Sequence, residues 1–428
     1  MHLLNTRTYK LSLDSDFDPE RATKKLGEKL TYAILSHRWE TKEPEINFAD
    51  LHPRYNPSGL KGGNLEKTHP NSYRKIVGAC DKAAEQGHRW IWVDTCCIDR
   101  DSSADKARAI GSMFDWYSKA EVCYAYLRDV SWSAASTPSP QMFRSQDDPT
   151  QNSIWFKRGW TLQELLAAKV VEFYGHDWTR MGTKKSLANV IGGITGIEER
   201  YLNDSSSIHE ASVATRMSWM AGRRTTELED IAYSMFGIFG VNMPLVYGEG
   251  RMAFMRLQQT IIQSRDRRDE SIFAWVTPPQ GLKCFGIDRW TPADHQWGLL
   301  APSPDCFVDS RDVIVDKRGP RPGEGYVNTT LGVAFHLTVI PGSEATNWFR
   351  PRKMIEMPLH CWKPGRDGKP VAVMLHLKLF GNEFRRIRCN EWLTKAGAKP
   401  GTTRWIRENG PLAVLPVTVA QQFVPSHG

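Results

Sequence analysis

The chain has 428 residues, which at roughly 100–200 residues per domain predicts two or three domains with cores large enough to need no disulfide or metal staple. Hydrophobic residues at 40% and charged residues at 24% exclude a disordered, collagen-like or coiled-coil chain. Lys and Arg exceed Asp and Glu by 56 to 48, but the excess is spread along the chain, so it suggests an anionic ligand and no dedicated nucleic-acid groove. The 16 tryptophans point to wide, partly wet surfaces or pockets, because a buried indole still needs a partner for its N–H.

Residues Met1 to Glu20 lack the basic, apolar and small-residue order of a secretory signal, and the eight cysteines form no C-x-x-C pair. A reducing, cytoplasmic compartment is expected. Ile231 to Gly248 carries no charge but contains Asn242, Pro244 and three glycines, which reads as buried core followed by a turn and not as a membrane span.

In chain order, Tyr32 to Ser36 is a short apolar run that stops at His37, Arg38 and Glu40, as a buried strand ending at a functional edge would. Trp90 to Val93 running into Asp94, Val122 to Leu127 running into Asp129, and Val170 to Tyr174 running into Gly175 repeat the form. Helical spacing joins them: Ile76, Val77, Cys80 and Ala83 within Tyr73 to Gln86, then Ile110, Met113, Phe114 and Tyr117 within Ser103 to Lys119. Alternating strands and helices predict right-handed βαβ units and a parallel sheet covered on both faces. Two long polar stretches, His52 to Ser72 and Ser131 to Ser153, interrupt this α/β region and are expected to be functional or disordered loops. From Lys184 to Arg265 the pattern is helical, with a capping-box spacing at Thr226 and Glu229 and a later helix carrying Phe254, Leu257, Ile261 and Ile262. Beyond Ser271 it turns strand-like, with Val371, Val373, Leu375, Leu377 and Leu379 alternating along one run. The division expected is an α/β domain over 1–182, a helical extension over 183–268 and a mostly β domain over 269–428.

Several familiar chemistries are absent. Gly368-Lys369 is followed by Pro370 and has no upstream glycine, so it is no phosphate-binding loop; His209-Glu210 lacks the second histidine of a zinc protease, and neither G-x-S-x-G nor G-x-G-x-x-G occurs. Adjacent Cys96 and Cys97 suit core packing better than zinc or redox chemistry.

Ligands of an open parallel sheet bind beyond the carboxyl ends of its strands. That edge would present Ser36, His37, Arg38 and Trp39 after the first strand, and Asp94, Thr95 and Asp99 after the second. A helix from Trp160 to Ala168 would start nearby with Glu164 in its first turn, by the positive end of its dipole. Cationic, aromatic and carboxylate groups in one place suit a nucleotide. Structural roles compete with this. Thr161 and Glu164 have capping-box spacing, which alone favours a structural Glu164; His37 reads as an ordinary strand-end residue; Asp94 could form an Asx turn; and Arg223, Arg224, Glu229, Asp230 and Glu249 suit a salt-bridge network.

Tyr32 to Glu40 (YAILSHRWE), Trp90 to Asp99 (WIWVDTCCID), Cys123 to Asp129 (CYAYLRD) and Arg158 to Ala167 (RGWTLQELLA) resemble, in order and spacing, the successive motifs of the fungal heterokaryon-incompatibility (HET) domain. Arg216 to Trp219, Arg223 to Thr226, Glu229 to Tyr233 and Met243 to Gly250 are similar to the extension that commonly follows it, and the resemblance covers roughly residues 30 to 305. It implies a role in the cell death that follows fusion of genetically different fungal cells, and a fold distantly similar to Toll/interleukin receptor (TIR) domains: a TIR-like parallel sheet flanked by helices, then a helical extension and a mostly β C-terminal domain. Catalytic TIR domains cleave NAD with a glutamate in a W-C-x-x-E-L-like helix, a pattern to which Trp160 to Leu165 is similar with Thr161 in place of cysteine; Ser36 and Arg38 match the S-x-R of the first strand.

The resemblance therefore implies hydrolysis of the nicotinamide glycosidic bond of NAD as substrate, with no prosthetic group and no metal. Glu164 would be the catalytic carboxylate, Arg38 would meet a phosphate, Trp39 or Trp160 would stack on a ring, Asp94 would bind a ribose hydroxyl, and Ser36 and His37 would complete the site. It further implies a homo-oligomer on activation and a protein partner in incompatibility signalling, without membrane or nucleic acid. A non-enzymatic module that triggers cell death by assembly with partners is the alternative.

Overall fold

The computed structural model describes residues 1–12, 31–39, 43–133, 139–264, 269–277, 299–315, 325–328, 333–339, 354–365, 368–380, 383–387, 394–395 and 413–419. Its contacts divide the chain into two compact units, Met1–Ile208 with Tyr233–Gly240, and His209–Ala232 with Val241–Gly428.

The first unit is α/β. Its six-stranded sheet has the order β1-β3-β2-β4-β5-β6, where β1 is Leu4–Asn5, β2 Ala33–His37, β3 Trp90–Trp92, β4 Val122–Tyr126, β5 Val171–Tyr174 and β6 Arg180–Thr183. The four inner strands are parallel, with Ala33 opposite Ile91 and Val122, and Cys123 opposite Val171. β1 and β6 close the two edges antiparallel. Every residue of β2, β4 and β5 is buried, as a sheet covered on both faces requires. The chain enters at β2, moves to β3 on one side, then returns past β2 to β4 on the other. The strand order therefore reverses at β2, where the crevice of a doubly wound sheet lies.

Helix α1 (Pro70–Glu85) starts on a proline, which needs no helical N–H partner at that position, and buries Ser72, Lys75, Ile76, Ala79, Cys80 and Ala83. Helix α2 (Ser103–Lys119) is capped by Ser102, whose hydroxyl accepts from Asp105 N, and buries Ala109, Ile110, Met113 and Tyr117. Helix α3 (Trp160–Ala167) is enclosed, with every residue from Thr161 to Ala167 buried. Its C-terminal carbonyls are met by a buried lysine, since Lys184 Nζ donates to Leu165 O at 3.0 Å and Ala168 O at 2.6 Å. Burial pushes that ammonium down to about 8. Helix α4 (Ala188–Thr195) ends on Gly196 in the left-handed region at φ 71.

The described parts of the two long stretches expected as loops carry short ordered elements. His52 to Ser72 contains short helical turns at Gly59–Lys61 and Leu65–Thr68 and the start of α1. Within Ser131 to Ser153 a turn at Pro140–Phe143 and an Arg144–Asn152 bridge order the chain.

The second unit holds helices α5 (Val213–Met220) and α6 (Met252–Gln263) and a sheet of β7 (Ile314–Val315), β8 (Gly325–Asn328), β9 (Val333–Val339), β10 (Met354–Pro364), β11 (Pro370–Phe380), β12 (Glu383–Ile387), β13 (Thr394–Lys395) and β14 (Ala413–Val419). Phe254, Leu257, Ile261 and Ile262 of α6 are buried as their spacing predicts. Gln258 of α6 grips the backbone of Ala301 twice, donating to its O at 2.8 Å and accepting from its N at 2.9 Å. The capping box expected at Thr226 does not form. Glu229 instead accepts from Gly248 N at 2.7 Å and Gly250 N at 2.8 Å, so it ties two turns together. Of the residues expected to form a salt-bridge network, Arg224 pairs with Asp305, Glu249 pairs with Arg256, and Asp230 accepts from Tyr247. The sheet runs β7-β10-β11-β12-β14-β9-β8, antiparallel except for β12 and β14. The strand expected at Val371 to Phe380 forms as β11, with Val373 and Leu375 buried, and Ala372 next to Val373 buried as well.

Among the described residues no helix is long and apolar enough to cross a membrane, and no group of three or more His, Cys, Asp or Glu side chains could hold a metal ion. Cys96 and Cys97 are buried thiols, in keeping with core packing.

Candidate functional site

The carboxyl ends of β2 and β3 gather most of the residues singled out in the sequence. β2 points successive side chains to opposite faces. Ser36 goes toward α3, where its Oγ accepts from Trp155 Nε1 at 2.9 Å. His37 goes toward α1, and its Nε2 lies 3.6 Å from Asp94 Oδ1, beyond hydrogen-bond distance. Burial first, then the Lys75 ammonium, push His37 down to about 4 against the opposing pull of Asp94, so the imidazole is neutral at pH 7.

Asp94 follows β3 and sits at the centre of the group. Trp39 Nε1 donates to its Oδ2 at 2.6 Å, and the Arg100 guanidinium lies 3.6 Å from the Trp39 ring centroid. A tight turn carries Arg100 to this place: Cys97 N donates to Val93 O at 2.8 Å, and Asp99 N donates to the Asp105 carboxylate at the start of α2 at 2.9 Å.

Glu164 is the fifth residue of α3 and lies in its second turn, where the sequence reading placed it in the first. The capping box with Thr161 is absent. Gly159 occupies the cap position, and the Thr161 hydroxyl lies at 2.6 Å from Trp155 O and 3.0 Å from Arg158 O. Glu164 is 6% exposed and its Oε2 has no hydrogen-bond partner. Burial is the main cause that pushes its carboxyl up to about 8, with Asp94 adding repulsion; Ser36, Tyr117 and Arg158 pull the other way. The acid is therefore protonated at neutral pH.

Buried polar atoms are normally paired. Here His37 Nδ1 and Nε2, Asp94 Oδ1, Thr95 Oγ1 and Glu164 Oε2 are all buried without a hydrogen-bond partner, and all lie at or beside the sheet's carboxyl edge. Each such atom calls for an explanation, and a ligand or a catalytic role is one.

A cleft of about 400 Å³ opens beside this group. Trp39, Thr95, Ile98 and Arg100 line it on one side, and the segment from Glu43 to Ala49 on the other. Of the predicted site residues, Ser36, His37, Trp39, Asp94 and Glu164 are brought together. Arg38 leaves β2 half-buried and Trp160 begins α3 half-buried, and neither lines the cleft. Ser36, His37, Asp94 and Glu164 do not line it either.

Sequence reasoning missed Trp155, Tyr117 and Arg100. Trp155 reaches Ser36 because the chain before it is pinned: Asp129 accepts from Ser153 Oγ at 2.6 Å and from Ile154 N at 2.9 Å. Asp129 was legible as the polar stop after β4, but its partners were not. Trp155→Phe keeps edge contacts with Phe156 and Phe173 while removing the N–H to Ser36. It is expected to lower stability by about 2 kcal/mol, from the lost hydrogen bond and the space left by the smaller ring, seen as a reduced denaturant midpoint; an unchanged midpoint would show that neither contributes net.

Residues 32–151 match the family model described as Heterokaryon incompatibility protein (HET). The chain carries a HET domain. That match takes in β2, α1, β3, α2 and β4 and stops before α3. Over 249 residues, 56% of this chain, the sequence is 42% identical to the vegetative incompatibility protein HET-E-1 of Podospora anserina, and the aligned part is 17% of that relative's length. No solved structure matches the HET-domain chain.

Proposed function

We propose that this HET-domain chain is a cell-death effector of fungal non-self recognition that hydrolyses the nicotinamide glycosidic bond of NAD, with Glu164 as the catalytic carboxylate. The observation that carries the reading is the state of Glu164: an enclosed carboxyl with an unpartnered Oε2 and a raised affinity for its proton, beside Ser36 and not in a helix cap. The order β3-β2-β4-β5 of the parallel strands is consistent with a TIR-like sheet, and the similarity to an incompatibility protein supports the cell-death role.

The chemistry follows from charge. The C1′–N bond breaks with its electron pair passing to the cationic ring, so nicotinamide leaves neutral and needs no general acid. Water then bonds to C1′ and loses a proton. A carboxylate near C1′ stabilises the oxocarbenium-like transition state. Glu164 must ionise for this, and a cationic nicotinamide ring beside it lowers its pKa in the required direction. Asp94 would take a ribose hydroxyl, Arg38 a phosphate, and Trp39 or Trp160 a ring face. Because Glu164 is enclosed, substrate entry requires the edge around it to open, which is where assembly into a homo-oligomer would act.

Purified protein incubated with NAD is expected to release nicotinamide, with kcat/KM rising toward an apparent pKa near 8 as the Glu164 proton is lost. Glu164→Ala is expected to abolish release. Turnover that survives this substitution would sink the assignment, and no turnover at any protein concentration would favour a non-enzymatic assembly module.

A further inference from the structure

The cleft beside Trp39 has features that Glu164 chemistry does not use. Four carboxylates line it, from Glu43, Glu45, Asp99 and Asp101. Two are committed: Glu43 accepts from the amides of Asn71 and Ser72, and Glu45 pairs with Lys75 at 2.5 Å. Asp99 and Asp101 stand on the turn before α2; Asp99 Oδ1 accepts from Asp101 N at 3.1 Å, and neither carboxylate has an ion pair among the described residues. An independent sign of a ligand comes from Thr95, which lines the cleft, is 1% exposed and has a hydroxyl with no partner.

These groups select a ligand class. Carboxylates only accept hydrogen bonds, so the ligand must offer O–H or N–H donors. With Glu45 neutralised by Lys75, the three carboxylates of Glu43, Asp99 and Asp101 outweigh the Arg100 guanidinium and disfavour a phosphate chain in the interior. The Arg100–Trp39 stack offers a flat, cationic face to a ring, and Phe48 and Ile98 add apolar wall. A volume of about 400 Å³ falls within the range of small-molecule sites.

We propose that this cleft binds a nucleoside, its ribose diol donating to Asp99 and Asp101, its base against the Arg100–Trp39 stack, and Thr95 bonded to a polar atom of the ligand. Where the NAD reading holds, the occupant is the adenosine half of the substrate, and that clause alone rests on the reading.

Isothermal titration of the full chain with adenosine tests it. Saturable binding is expected, weakened at least tenfold by Thr95→Val, by Asp99→Asn combined with Asp101→Asn, and by use of 2′-deoxyadenosine, and unchanged in Glu164→Ala. Thr95→Val keeps the side-chain shape, and Asp99 and Asp101 are not buried, so loss of folding does not confuse the result; circular dichroism checks it. Absence of adenosine binding at millimolar concentration, binding indifferent to Thr95 and the 2′-hydroxyl, or displacement by a lysine-rich peptide would each overturn the proposal. Adenosine binding without NAD turnover would reject the hydrolase and keep the cleft, whereas turnover without adenosine binding would do the reverse.

Discussion

Glu164→Gln is expected to stabilise the protein increasingly as pH rises from about 4.5 to about 8, and to change little below that range. The sign follows from proton linkage. The folded protein holds the Glu164 proton up to about 8, whereas the unfolded chain releases it near 4.5, so unfolding between these values gives up a proton and becomes easier as pH increases. Above the folded value the buried charge is fully expressed and the loss levels off. The gap corresponds to at most about 5 kcal/mol, at 1.36 kcal/mol per unit. Glutamine resembles the protonated acid in shape and never ionises, so it removes this slope. Under the proposed hydrolase function, the same variant should lose nicotinamide release by about 100-fold or more, because no carboxylate would remain to meet the transition state. A more stable but inactive protein is the signature of a residue kept for function at a cost in stability. Denaturant midpoints of both proteins at pH 5 and pH 8.5 check it, and parallel pH profiles would show that Glu164 titrates normally.

Gly237→Ala should be the opposite kind of change, destabilising at every pH. The helical turn Phe236–Phe239 belongs to the first unit, and a Cβ on Gly237 would stand 2.1 Å from both Cβ and Cγ of Phe114 on α2. Those atoms lie at the base of the Phe114 side chain and cannot swing aside, so helix and turn must separate. Overpacking of this kind costs about 3 kcal/mol, from which the better helical propensity of alanine returns at most about 1 kcal/mol. Gly193→Ala is the control. It lies exposed in α4 with nothing within 4 Å of the added Cβ, so the same substitution should stabilise by up to about 1 kcal/mol. Thermal unfolding of the two variants side by side would reveal it, and equal shifts would contradict the packing at Phe114.

Much of the first unit was legible because its signals are local. Ser103–Lys119 is a helix with Ile110, Met113 and Tyr117 buried, as their spacing predicts, and the four apolar runs that stop at polar residues became β2, β3, β4 and β5 within a residue or two. Glu164 was misread for a related reason. The Thr161–Glu164 spacing is a true capping pattern, but the cap is Gly159, two residues earlier, and the Thr161 hydroxyl turns back toward Trp155 O and Arg158 O. Thr226 and Glu229 failed likewise, since two glycine amides compete for Glu229 and win.

The sequence by itself determined an α/β unit built of βαβ repeats, a β-rich C-terminal part and the polar edge where Ser36, His37, Trp39 and Asp94 stand. Periodicity and turn chemistry decide such features within a few residues of chain, so they survive in one dimension. Only the tertiary structure decided that Trp155 bonds Ser36 across 119 residues, that Arg100 lies on Trp39, and that Glu164 is enclosed with its proton held to about 8. Burial and pairing of these groups depend on which distant segments close over them, and no local pattern carries that information.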